Sequence, residues 1–157
     1  MPLRRKRGDP QPTAPVAVVV ASSGAPFTKT AIRRARELAG GDPIAVVSTL
    51  KIFGSSWGLP TPGLMPTAKE RQEQVAIVSA AVKALKRQGC IVDGQVAATR
   101  GAGRTIARIA LTRGARIVVM DDPGTKGLRR LVEGDITSVV RRRLGQSVSL
   151  ELVTADR

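Results

Sequence analysis

Ile117-Val118-Val119-Met120-Asp121-Asp122-Pro123-Gly124, then nine residues, then Gly134-Asp135 and a segment with Ile136, Val139, Val140 and Leu144 set the reading of the chain. The aliphatic run is short and ends at charged and turn-forming residues, as a strand buried on both faces does. The glycine-bearing stretch Asp121–Glu133 reads as a loop. The apolar residues that follow recur at helical spacing, and Gly145 supplies a stop. Ser147–Thr154 then reads as a last strand, with Val148, Leu150 and Leu152 alternating with Ser147, Ser149 and Glu151. Period two of that kind suits a strand at a sheet edge.

Working back toward the N-terminus, the same unit repeats. Gly101 and Gly103 lead into a helix with Ile106, Ile109 and Ala110, closed by Gly114. Ile91–Ala98 reads as a weaker third strand, interrupted by Asp93 and Gly94. Thr67 and Glu70 form a capping-box pattern, opening a helix expected to bury Val75, Val78, Val82 and Leu85. Ile44–Leu50 is a second strand, and Lys51–Pro66 is a long proline-bearing loop around Trp57. Before it, Val16–Ala21 is a first strand, Ser22-Ser23-Gly24 a turn, and Thr28 the cap of a helix with Ala31, Ile32, Ala35, Leu38 and Ala39 inward. Strand and helix in alternation require a parallel sheet with right-handed crossovers, hence an α/β fold. Such open sheets bind ligands beyond the carboxyl ends of their strands, here the loops after the first and fourth.

The totals agree. The chain has 157 residues, 42% hydrophobic and only 2% aromatic, enough for one aliphatic core. Residues 1–15, with Pro2, Pro10, Pro12 and Pro15, read as a disordered basic arm, and residues 16–157 as the α/β domain. The single cysteine, Cys90, permits no intrachain disulfide and reads as packing. The basic cluster Arg4-Arg5-Lys6-Arg7 precedes Val16–Ala21, but those six apolar residues are too few for a membrane span. The expected location is the cytoplasm, with no membrane partner. Lys and Arg number 26 against 12 acidic residues, a net +14 that favours acidic partners.

The order and lengths of these elements over residues 16–154 resemble the universal stress protein family. That resemblance implies a single open five-stranded parallel sheet in the order 3-2-1-4-5, with helices on both faces. It also implies an ATP pocket built from G-x-x-G, nine residues, then G and a hydroxyl residue. Here Gly124 and Gly134 match at the family's spacing, whereas Asp121 stands at the first glycine and Asp135 at the hydroxyl position. Ser23 stands where the family places an aspartate after strand one. The nucleotide-binding set implied by the resemblance is therefore an altered one: Ser22, Ser23, Gly24, Asp121, Gly124, Gly134 and Asp135. Glycine lets backbone N–H groups approach a phosphate, whereas Asp adds bulk and charge. Carboxylate and phosphate charges about 4 Å apart repel by about 4 kcal/mol at a surface-like dielectric. A helix N-terminus returns about 0.3–1 kcal/mol. Phosphate would then rely on Lys126, Arg129 and Arg130, or on Mg²⁺ held among Asp121, Asp122 and Asp135. Asp135 has a second role open to it, as a helix N-cap. No cofactor follows from the residues alone; ATP is implied by resemblance only.

Catalysis is not expected. The chain has no histidine and no tyrosine, so the commonest general base is missing. Ser22 and Ser23 lack the nucleophile-elbow pattern. Gly101-Ala102-Gly103 lacks the third glycine of a dinucleotide loop, and no Cys or His cluster supports zinc. Arg141-Arg142-Arg143 at a helix C-terminus exceed the needs of a cap; with Arg4, Arg5, Lys6 and Arg7 they offer a phosphate-binding surface. Three readings stand: a non-enzymatic universal-stress-like regulator with an altered ATP pocket that need not function, a basic accessory factor docking on RNA or the ribosome, and an adenine-nucleotide stress sensor. The family resemblance further implies a homodimer joined through the last strand.

Overall fold

The computed structural model describes residues 12–52, 66–122 and 136–154. In chain order the elements are β1 Val18–Ser22, α1 Lys29–Ala39, β2 Ile44–Lys51, α2 Ala68–Arg87, β3 Val92–Thr99, α3 Ala102–Thr112, β4 Ile117–Asp121, α4 Ile136–Leu144 and β5 Ser149–Val153. The sheet runs β3-β2-β1-β4-β5 with every pair parallel. The fold class, strand order and two-sided helix cover are those expected.

The pleat sorts the core into two halves. Val18 and Val20 of β1, with Ile44 and Val46 of β2, pack under α1 and α2 through Ala31, Ala35, Val78 and Leu85. Val19 and Ala21, with Ala45, Val47 and Val118, pack under α3 and α4 through Ile106, Ala110, Val140 and Leu144. Central strands covered on both sides are apolar nearly throughout, and β1 is buried along its whole length, with Ser22 at its end.

Local signals act as the sequence indicates. The Thr28 hydroxyl accepts from the Ala31 N–H at 3.1 Å, and Gly40 ends α1 at φ 56°. Thr67 and Glu70 form the capping box of α2. Among the described residues no helix is long and apolar enough to cross a membrane.

Two details differ from the expectation. First, β3 is not interrupted: it pairs with β2 from Val92 to Thr99 without a break. Asp93 accepts from Arg113 Nη1 and Nη2, and Gly94 is required where α2 presses on the strand. A Cβ there would lie 2.4 Å from Val78 Cγ1. Second, Val75 is 52% exposed. The inward stripe of α2 instead runs Gln74, Val78, Ala81, Leu85. Gln74 accepts from the Ser48 hydroxyl at 2.5 Å and donates to the Gly24 carbonyl at 3.0 Å. A polar residue takes the inward place because the sheet offers it a hydroxyl and a carbonyl there.

β5 lies at the sheet edge, as its alternation indicates. Its Glu151 receives a hydrogen bond from Arg34 Nε at 2.9 Å, and this bond, with a lesser one to Glu37, raises the Arg34 guanidinium above its ordinary range.

Candidate functional site

Connections leave β1 toward α1 on one face and β4 toward α4 on the other, so a crevice opens between the carboxyl ends of these strands. The residues there divide by pleat parity. Asp121 ends β4 on the same side as Val119, under α1. Its Oδ1 accepts from the Thr28 hydroxyl at 2.5 Å and its Oδ2 from the Thr28 N–H at 3.4 Å. Thr28 thus caps α1 while Asp121 places a carboxylate at the positive end of that helix, a favourable arrangement. Ser22 donates to the Ala25 carbonyl at 2.5 Å and closes the β1–α1 turn, in which Gly24 takes φ 112°.

On the opposite face lies a cavity of about 310 Å³. Thr49 and Lys51 of β2 share a parity, and Thr99 of β3 is Lys51's partner in the ladder. With Ser23 they form one side of the cavity; Arg100, Gly101 and Arg104 at the start of α3 form another, and Ile136 and Val139 of α4 close it. The Thr99 hydroxyl accepts from the Gly101 N–H at 3.0 Å and from the Thr105 hydroxyl at 2.7 Å, which fixes the strand-to-helix turn. Gly103 is a packing residue: a Cβ there would lie 2.9 Å from both the Ile136 carbonyl oxygen and Val139 Cβ. The described lining holds three cations, three hydroxyls and no carboxylate, so its chemistry favours an anion with a partly apolar body.

Of the nucleotide-binding set implied by the resemblance, Ser23 is the one described residue that lines this cavity; the Gly101-Ala102-Gly103 turn, set aside as a dinucleotide loop, lines it as well. Ser22, Gly24 and Asp121 stand beside it and serve the α1 turn. Arg141, Arg142 and Arg143 are exposed on the last turn of α4, beyond the residues that close the cavity. Gly124, Lys126, Arg129, Arg130, Gly134, Asp135, Arg4, Arg5, Lys6 and Arg7 lie outside the described residues, as does Trp57. Among the described residues no group of three or more His, Cys, Asp or Glu side chains is placed to hold a metal. Sequence reasoning missed Thr49, Lys51, Thr99, Arg100 and Arg104. Their common signal is position: each stands at the carboxyl end of a strand or the first turn of the next helix.

A doubly wound parallel sheet with a cavity beyond its carboxyl ends places the chain among the open α/β domains. The sequence profile of the universal stress protein family matches residues 17–149, and the chain belongs to that family. No curated protein matches the chain. Solved structures share the fold. A universal stress protein in complex with cAMP superposes with a TM-score of 0.63 at 17% identity, over 91% of this chain and 99% of that one. A family member from Burkholderia pseudomallei gives 0.58 at 18% identity, over 88% and 96%. The universal stress protein from Archaeoglobus fulgidus in complex with dAMP gives 0.55 at 18% identity, over 90% and 98%.

Proposed function

We propose that this chain is a non-enzymatic member of the family that acts by binding, taking a small adenine nucleotide in the cavity between β1, β2, β3 and the α3–α4 pair. The carrying observation is the cation- and hydroxyl-lined cavity at the carboxyl edge of the sheet. At about 310 Å³ it falls at the lower end of the size range of small-molecule sites, about 300–1,000 Å³. The fold neighbours solved with cAMP and dAMP support the ligand class. The lack of histidine and tyrosine supports binding without catalysis. The sequence departs from the family's ATP pattern at Ser23, Asp121 and Asp135, and the engagement of Asp121 with Thr28 supports a structural use for one of these changes. Calorimetric titration of AMP, cAMP and ATP, each with and without Mg²⁺, tests the reading. Binding of AMP or cAMP without metal is expected, with ATP weaker. Heat from ATP alone, and only with Mg²⁺, would replace it by the ordinary triphosphate reading.

A second reading rests on Arg141, Arg142 and Arg143, all exposed on one turn of a chain of net charge +14: a backbone-directed association with RNA or ribosomes. Homodimerisation through β5 and a cytoplasmic location belong to the same proposal.

A further inference from the structure

α1 and α2 cover the face of the sheet away from the cavity of Ser23 and Arg100. Between the two helices runs a groove of about 710 Å³. Its apolar lining includes Phe27 ahead of α1, Ile32 of α1, and Ile77, Ala80 and Ala84 of α2. Phe27 is one of two phenylalanines in a chain of 2% aromatics, and the fold leaves it and Ile77 half-buried rather than enclosed. One rim is cationic. Lys29, Arg33 and Arg36 are exposed and recur at i, i+4 and i+7, so they form one row about 10 Å long down α1. Arg36 Nη1 donates to Gln88 Oε1 at 2.5 Å and bridges the helices at one end of the groove. The described lining holds no carboxylate. Glu37 of α1 pairs with Arg34, Glu70 of α2 serves the capping box, and Glu73 comes before Ala76, the first α2 residue of the lining.

We propose that this groove docks an acidic amphipathic helix of a partner protein, its apolar stripe on Phe27, Ile32 and Ile77 and its carboxylates toward Lys29, Arg33 and Arg36. Charge decides among the occupants. A second copy of the chain, docked by two-fold symmetry, would set the cationic row against itself. The Arg4-Arg5-Lys6-Arg7 cluster carries the rim's own sign. A fatty acid brings one carboxylate to three cations spread over two turns. A helix with acidic residues at spacings of four and three meets the whole row while its apolar face enters the groove. The α2 wall runs from Ala76 to Gln88, about 18 Å, which matches a helix of about three turns. The groove lies on the opposite face of the sheet from the nucleotide cavity, so the two assignments stand or fall separately.

The test is fluorescence anisotropy on the full-length protein with two labelled amphipathic peptides of about four turns. One carries a leucine stripe flanked by a row of glutamates; its twin has lysine at each glutamate. Wild type is expected to bind the glutamate peptide at least about tenfold more tightly than the twin. Ala80→Gln adds neutral bulk at an exposed position on the groove and should weaken that binding about tenfold. Lys29→Ala/Arg33→Ala should weaken it to a similar degree. Arg141→Ala/Arg142→Ala removes the same charge from the other face of the sheet and should leave it unchanged. An equal loss in the α1 and α4 variants would assign the attraction to net charge and overturn the docking site. So would failure of wild type to bind the glutamate peptide, or binding that survives Ala80→Gln. Wild type that takes up laurate but not the peptide gives the groove to a lipid, and self-association abolished by Ala80→Gln without peptide binding gives it to a second copy; either result also overturns the proposal.

Discussion

Arg113 carries a full charge into the interior: the residue is 3% exposed, its Nη1 and Nη2 both donate to the Asp93 carboxylate, and its Nε donates to the Ala14 carbonyl at 2.8 Å. Burying a cation costs several kcal/mol unless a counter-charge and hydrogen bonds offset it. Here they tie the C-terminus of α3 to β3 and to the segment before β1. Removing Asp93 alone would leave that cation unpaired. Breaking a buried pair costs about 3–5 kcal/mol. Because the Asp93 side chain keeps 35% of its exposure, the expected loss for Asp93→Ala is nearer the lower figure or below it. Adding Arg113→Met should recover part of the loss, since the unpaired charge goes with it. Urea denaturation of the two single variants and the double variant measures this. A single Asp93→Ala within about 0.5 kcal/mol of wild type, the range of ordinary surface changes, would show that the pair holds nothing together.

At the scale of elements, α2 shows where periodicity alone misleads. Counting apolar residues puts Val75 inside, yet the helix turns Gln74 inward to the Ser48 hydroxyl and leaves Val75 half in water. Gln74→Ala is therefore expected to cost about 1–3 kcal/mol, because Ser48, 0% exposed, loses its acceptor. Val75→Lys should change stability by no more than about 0.5 kcal/mol. Thermal unfolding that ranked the two the other way round would contradict the assigned face. The order of strands and helices is legible because aliphatic runs, caps and glycine stops such as Thr28, Thr67 and Gly145 act locally. Asp93 and Gly94 look like breaks in β3 because their compensations, Arg113 and the close approach of Val78, are distant in sequence. The cavity was still harder to see. Lys51 stands at the start of a long loop in the sequence, and nothing local marks Arg100; the β2–β3 register sets Lys51 beside Thr99 and the pleat turns both toward α3 and α4. Asp121 is the converse case. Its place at a family glycine is plain in the sequence, but its use at the end of α1 requires Thr28, 93 residues away.

For the whole molecule, the net charge and the open sheet edge pull solution behaviour in opposite directions with salt. Two copies of +14 each repel at low ionic strength, while β5, which pairs only with β4 among the described residues, carries Leu150 and Leu152, partly buried against the α3 and α4 side of the core. Raising salt from about 0.1 M to 1 M shortens the screening length from about 10 Å to about 3 Å, removing most of the repulsion between exposed charges but little of the apolar gain. A homodimer through β5 should therefore tighten as salt rises, and Leu152→Arg should weaken it at every ionic strength. Association with RNA through Arg141, Arg142, Arg143 and the N-terminal cluster must do the reverse, because each phosphate neutralised releases counterions whose return salt favours. Light scattering of purified protein, with the 260/280 nm absorbance ratio followed alongside, separates the two. Mass rising with salt at a low, constant ratio identifies the dimer. A high ratio that falls as salt strips nucleic acid away, and falls from a lower start when residues 1–9 are removed, identifies the RNA-bound form. A monomer at every ionic strength, with Leu152→Arg indistinguishable from wild type, would rule out a dimer through β5 and leave the Arg34–Glu151 pair as a guard of that edge.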